Sequence, residues 1–454
     1  MKKKAGRQIT RRQFVRSALT AAGAAAGMPA LLRGRNLNDK LNIAIIGAGG
    51  RGITDTAGVA SENIAVLCDV DANAVEKAAM LHPGAKKFTD FRKVFDRPGD
   101  FDAVVVSTCE HTHVFATMLA LKAGKHVYCE KPLTHNIWEA RLVRETASKL
   151  KLATQMGNQG HASNNHRRVK ELIQSGAIGP VREVHVWVNR AWGIQSREAA
   201  VRNKDIVIIS ERPKEADPVP PGLDWDLWLG PAPARPFNAV YVPGPKWYRW
   251  WDFGNGTMSD LGSHRNDLAF YALDLRAPLT VEATADGPAH PDLAPATMKV
   301  TYEYGPRGDM PPVRLTWYDG GLKPPRPAEL EDNRKLEDEG LLFIGDRGTI
   351  LCRFNGGGPR ILPDEKMKAY KQPPKTLPRS PGNEREWIDA AKGSKIRPGA
   401  SFEFSGVVTE ALQLGNVALR AGERLVWDRA SLSAVNVPSA QKLIRPEYRQ
   451  GWAL

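Results

Sequence analysis

Four cysteines, at positions 68, 109, 129 and 352, are too few and too irregularly spaced for a disulfide framework or a zinc site. All four are expected to be free, since even an oxidising compartment permits bridges without requiring them. Dense basic runs interleaved with aromatics are also missing. The formal net charge is +14, but residues 1–33 hold eight lysines and arginines and no acid, leaving 56 basic against 50 acidic residues in the remainder. That near balance argues against a phosphate-backbone footprint, and so against a nucleic-acid partner. A mild positive field still suits anionic cofactors or substrates. There is no convincing apolar span and no internal repeat. The 25% charged and 42% hydrophobic residues of this 454-residue chain describe an ordinary globular protein with room for two or three domains.

The N-terminal segment places basic residues before a modest run rich in Ala and Gly, the layout of an export signal rather than of a structural helix. Thr10-Arg11-Arg12-Gln13-Phe14-Val15 closely resembles the twin-arginine signal, whose route carries folded, often cofactor-loaded proteins. Residues 1–33 are therefore read as a signal and the mature protein as periplasmic or otherwise exported, with no stable membrane span. A disordered basic tail is the bland alternative, and no clear Ala-x-Ala site marks a cleavage point.

From residue 40 to 160, short apolar runs alternate with helical stretches. LNIAII (41–46), NIAVLCD (63–69), DAVVVST (102–108), HVYCEKP (126–132) and KLATQMGN (151–158) read as strands. This rhythm predicts an α/β fold with a doubly wound parallel sheet, covered on both faces. After Gly160 the pattern changes. VREVHVWVN, ATMKVTYEY, PVRLTWYD and GLLFIGDRGTILC suggest an α+β domain over 161–454, with a large, mostly antiparallel sheet and a late helix at 403–422 capped by Gly422. The proline-rich stretch 213–245 reads as a surface insertion or substrate loop.

Gly47, Gly49 and Gly52 make GxGxxG directly after a strand and at the start of a helix, the context that gives this motif meaning. The glycines permit a tight turn, close approach of a pyrophosphate and helix–strand packing, and the helix N-terminus meets the phosphates. Asp69, 20 residues after Gly49, can accept the ribose hydroxyls, which favours NAD over NADP. Arg51 could partly reverse that preference. Gly50, Thr108, His111, His113 and Glu130 complete the candidate cofactor contacts, although the two histidines could instead cap the following helix.

Lys131, in Glu130-Lys131-Pro132 at the end of the strand HVYCEKP, can stabilise developing alkoxide charge beside a nicotinamide. In SDLGSHRND (259–267), Asp260 and His264 share a helical face. A metal site from Asp260, His264 and Asp267 is the competing reading. It is disfavoured because HExxH is lacking and a nearby lysine repels a cation, so no metal is assigned.

LNIAIIGAGGRG, VLCDVD, STCEHTHVFATMLALKAGKHVYCEKPLTHN and GTMSDLGSHRNDLAFYALDL together resemble the glucose–fructose oxidoreductase / inositol dehydrogenase / MocA (Gfo/Idh/MocA) family over nearly all of the chain after residue 40. The resemblance implies an N-terminal dinucleotide domain and a C-terminal α/β domain whose open sheet commonly mediates homodimers or homotetramers. It also implies that Lys131 is the catalytic lysine, beside a catalytic Asp260–His264 pair. His264 then acts as general base, while Asp260 orients a hydroxyl or tunes the imidazole. The purely structural alternatives are an N-cap for Asp260 and a core position for His264. Asp267 is assigned a partner within its helix. Trp250 and Trp251, from an excess of tryptophan between 187 and 251, are the candidates for stacking on a sugar, with Asn158 and His161 also reaching the cleft.

The expectation is thus an NAD(P)-dependent oxidoreductase acting on a sugar, polyol or glycoside and holding its nucleotide tightly. One alternative is a cofactor-retaining glycoside hydrolase or lyase working through a transient keto sugar. A non-catalytic carbohydrate or nucleotide sensor is another, but binding alone does not need the Lys131, Asp260 and His264 trio.

Overall fold

The computed structural model describes residues 40–202, 205 and 207–454, so the export signal expected over 1–33 lies outside the described residues. The first sheet has six strands: β1 Asn42–Ile46, β2 Asn63–Cys68, β3 Lys86–Phe88, β4 Ala103–Val106, β5 His126–Cys129 and β6 Thr154–Met156. All pair in parallel, in the order β3-β2-β1-β4-β5-β6. The central strands β1 and β4 are almost wholly apolar because both of their faces are buried. Ile43, Ile45 and Val105 face one cluster, whereas Ala44, Ile46, Val104 and Val106 face another. Strand order reverses between β1 and β4, opening a crevice at the strands' carboxyl ends.

The helices that cover this sheet include α1 Arg51–Gly58, α2 Ala72–Leu81, α3 Glu110–Lys122 and α4 Ile137–Leu150. α4 starts at a reciprocal cap in which Asn136 accepts from the Glu139 backbone and Glu139 accepts in return. This cap fixes the chain direction just after the Glu130-Lys131-Pro132 turn.

After α5 (Asn164–Gln174), the second sheet begins with β7 Val181–Trp187. β8 Thr280–Ala285, β9 Met298–Tyr304, β10 Val313–Tyr318, β11 Gly340–Gly345, β12 Gly348–Cys352, β13 Arg360–Leu362, β14 Leu425–Asp428 and β15 Ser433–Ala434 complete it. The order is β13-β12-β11-β7-β10-β9-β8-β14-β15, and of its pairs only β7–β10 is parallel. One face packs on α6 (Ser263–Leu273) and on α8 (Phe402–Ala421), which follows α7 (Asn383–Ala391). Gly422, at φ +70°, ends α8 as its sequence position predicts. No helix among the described residues is long and apolar enough to cross a membrane.

The division at residue 160 needs one correction. α7 buries Trp387, Ile388 and Ala391 against Leu41, Ile43 and Tyr128 of the first sheet. Near the C-terminus, Tyr448 and Trp452 pack edge-on to Phe115. The chain therefore returns to complete the first core, and periodicity does not reveal which sheet a late helix covers.

Candidate active site

The crevice is a cleft of about 1280 Å³ whose lining includes Gly47, Gly49, Gly50, Arg51, Asp69, Thr108, Glu130, Lys131 and His264. At its base Gly47 sits at φ +88°, a backbone region that favours glycine, and donates its N–H to the Cys68 carbonyl at 2.8 Å. Gly52 lies beneath: a Cβ there would stand 1.7 Å from the Gly47 oxygen, so only glycine allows α1 to pack this close. Gly50 has open space beside it. A backbone cradle at a helix start, with the Asp69 carboxylate at the end of β2, fits a dinucleotide. Asp69 Oδ2 accepts the Gly49 N–H at 2.8 Å and Oδ1 the Asp71 N–H at 3.0 Å, which locks the turn to the carboxylate. Arg51 is not free for a 2′-phosphate as expected. Its guanidinium pairs with Asp55 at 2.9 Å and Glu130 at 3.1 Å.

Lys131 anchors the other end. Its Nζ donates to Asp260 Oδ1 at 2.8 Å, to the Asp260 carbonyl at 2.9 Å and to the Tyr248 hydroxyl at 3.1 Å. Burial alone would lower the ammonium's pKa, but the Asp260 charge and hydrogen bonds hold it far above the ordinary lysine value. Burial would likewise raise Asp260. Lys131 and the Trp192 indole N–H, 2.6 Å from Oδ2, keep it ionised and below its usual range. Asp260 is not an N-cap. It lies in a π-helical turn, Met258–Gly262, that runs directly into α6. Such turns frequently mark functional sites.

His264 is set by its neighbour Asn158. The Asn158 Nδ2 donates to the Ser263 carbonyl at 3.1 Å, which turns its Oδ1 toward His264 Nδ1 at 2.8 Å. An amide oxygen only accepts, so Nδ1 carries the proton and Nε2 is left with its lone pair. Burial, reinforced by the Lys131 charge, pushes the imidazole pKa down to about 3. The ring is therefore a neutral base at neutral pH.

Several expected contacts move elsewhere. Trp250 and Trp251 are 0% and 4% exposed and belong to hydrophobic cores, so neither can stack on a sugar. Their place beside Lys131 is taken by Tyr248, with Trp247 next to it at 4.0 Å between ring centroids, both lining the cleft. The aromatic run KWYRWW contains the right residues, but burial within it follows local backbone turns that spacing does not encode. Trp192 and Gln159, which donates to Glu130 at 3.1 Å, join the site without any local sequence signal. Asn158 is fully buried and positions His264 instead of meeting substrate. His113 faces the Pro132 and Thr108 carbonyls at 2.8 and 2.9 Å, so neither ring nitrogen is left for the cofactor. His111 reaches the cleft edge, with Nε2 held by the Trp228 carbonyl at 3.0 Å.

His161 and Asp267 are corrected together. The Asp267 carboxylate receives His161 Nδ1 at 2.8 Å and stands 3.2 Å from His166 Nε2, so its partners come from outside its own helix. All three are buried, and the two imidazoles hold the carboxyl well below its usual range against the opposing effect of burial. Asp260 and Asp267 thus serve different networks, and no cluster of metal ligands forms among the described residues. Asp267→Asn should lower the unfolding free energy by about 3 kcal/mol, because it removes one partner of a buried network. A urea midpoint equal to wild type would contradict this. The four cysteines are free.

Residues 41–158 match the oxidoreductase family with an NAD-binding Rossmann fold, and residues 163–309 match that family's C-terminal alpha/beta domain. The chain belongs to the Gfo/Idh/MocA oxidoreductase family. An inositol 2-dehydrogenase of Rhodococcus erythropolis is 34% identical over 157 residues, 33% of this chain and 44% of the relative. A 1,5-anhydro-D-fructose reductase of Ensifer adhaerens is 36% identical over 96 residues, 21% and 28% of the two chains. The matches thus span under half the length of these curated relatives. In fold, the chain is similar to the WlbA dehydrogenase of Bordetella pertussis, solved with NADH and UDP-GlcNAcA, at a TM-score of 0.58 and 17% identity over 86% of this chain and 99% of the other. It is also similar to a levoglucosan dehydrogenase solved with NADH, at 0.52 and 17% over 85% and 98%.

Proposed function

We propose that this protein interconverts a secondary alcohol and a ketone on a sugar, polyol or glycoside, with NAD as its redox partner. The observation that carries the reading is the bare Nε2 of His264 lining the same cleft as Lys131, whose ammonium is paired with Asp260. The bound nicotinamide supplies the hydride chemistry. His264 Nε2 takes the hydroxyl proton, and the Lys131 ammonium stabilises the charge left on oxygen. Asp260 keeps that ammonium charged and aimed, and Tyr248 adds a hydroxyl within reach of it. Asp69 disfavours a 2′-phosphate, which supports NAD over NADP. The relatives named for inositol, anhydrofructose and levoglucosan support the substrate class.

The second reading, redox-assisted hydrolysis or elimination of a glycoside through a keto sugar, draws support from the Tyr248 hydroxyl. It gives the site another group able to hand a proton to a leaving oxygen. Incubating the purified protein with a mixed sugar and glycoside panel, followed by mass spectrometry, separates the two. Keto product matched by NADH supports the dehydrogenase, and cleavage without net NADH supports the second reading. Protein that binds neither NAD nor NADP sinks both.

Export by the twin-arginine route and assembly as a homodimer or homotetramer form part of the same proposal. The outer face of the second sheet, where Glu183, Lys299, Glu303 and Arg314 gather, is the pairing surface we favour. Light scattering that finds only monomer would remove that part.

A further inference from the structure

The cleft has a second wall that its glycine-rich turn does not supply. The proline-rich segment 217–248 lines it with Pro218, Pro220, Pro221, Leu223, Leu227 and Phe237. This strap is stitched to the first domain immediately beyond Asp69. The Ala72 N–H donates to the Gly222 carbonyl and the Asp224 N–H to the Val70 carbonyl, both at 2.9 Å. Asn73 Nδ2 donates to the Pro221 carbonyl at 2.8 Å. Gly222, at φ +91°, lies so close that a Cβ would meet Asn73 Nδ2 at 2.4 Å. From behind, Arg449 Nε donates to the Gly230 carbonyl and the Arg449 N–H to the Pro231 carbonyl, both at 2.9 Å. Trp228, Leu229 and Tyr241 of the strap pack with Trp250, Phe253 and Leu293 in one apolar cluster, with Trp225 stacked on Trp228 at 4.9 Å.

We infer that the strap is the second half of the adenosine site and the element that keeps the nucleotide from exchanging. The inference rests on the NAD reading above. In a doubly wound sheet the adenosine ribose meets the carboxylate at the end of the second strand, here Asp69, and the stitches fall on the next four residues. Proline rings and leucine methyls offer a flat apolar surface without competing donors, which suits an adenine face. A nucleotide held between this wall and the turn leaves only when the stitches part, so the strap sets the exit rate. The expected lining of a substrate loop is thus reassigned, except at Trp247 and Tyr248, to the cofactor.

The test uses the purified full chain loaded with NAD. Isotope-labelled NAD is added in excess and its incorporation followed by mass spectrometry. Asn73→Ala removes the side-chain stitch at the cleft, and Arg449→Ala removes the side-chain half of the tether behind the strap, its bond to the Gly230 carbonyl, outside the cleft lining. Each is expected to speed exchange at least tenfold, with circular dichroism confirming the fold. Nicotinamide mononucleotide, which lacks adenosine, should bind wild type and variants within threefold of one another. Equal exchange rates in wild type and both variants overturn the inference, as does a mononucleotide affinity that falls as far as that of NAD. Wild-type protein that takes up no NAD overturns the functional reading itself, an outcome distinct from strap-independent exchange.

Discussion

Lys131→Met is expected to lower kcat/KM by about 10³-fold while leaving NAD bound, because the group lost acts only on charge that develops at the substrate oxygen. The glycine cradle and Asp69 do not depend on the ammonium, so nucleotide occupancy should hold. The same change strands Asp260. Its carboxylate is 15% exposed and, among the described residues, keeps only the Trp192 indole as a side-chain donor. Removing one partner of such a pair costs about 3 kcal/mol or more of stability. Lys131→Met combined with Asp260→Asn should recover most of that stability and none of the turnover. Thermal unfolding reads the first effect and single-turnover kinetics the second. A single variant keeping more than a tenth of wild-type activity would remove Lys131 from the chemistry.

The parts of this site that can be read from sequence are those whose chemistry depends on local spacing. Gly47, Gly49, Gly52 and Asp69 follow strand ends, so a strand–turn–helix pattern locates them, and the parallel sheet follows from the same rhythm. β3 escapes because three residues, Lys86–Phe88, form no apolar run. The Lys131–Asp260 pair is reached only through family resemblance, since 129 residues separate its members. Tyr248, Asn158 and the His161–Asp267 pair depend on tertiary contacts that no local pattern announces. Trp250 and Trp251 fail for the opposite reason. Aromatic clustering is shared by cores and by binding surfaces, and here the core claims both.

His264→Gln is expected to lower kcat by roughly 10²- to 10⁴-fold, the range for loss of a positioned general base. The pH profile gives a sharper test. An ordinary imidazole, with a pKa near 6.5, would lose its base form through mild acid and take kcat/KM down with it. Burial and the Lys131 charge hold His264 at about 3, so it stays unprotonated and kcat/KM should remain flat from neutrality down to about pH 5. The same shift makes the folded state bind fewer protons than the unfolded chain below pH 6.5. Its share of stability is present above that pH and is lost as pH falls through 6.5 toward 3. Asn158→Ala separates positioning from packing, because it frees Nδ1 and lets the proton move to Nε2. It should lower kcat at least tenfold, change KM little, and leave neutral-pH stability closer to wild type than Asp267→Asn does. An acid limb near pH 6.5 in the wild type would mean that His264 is solvated in the working enzyme and titrates there as an ordinary imidazole base.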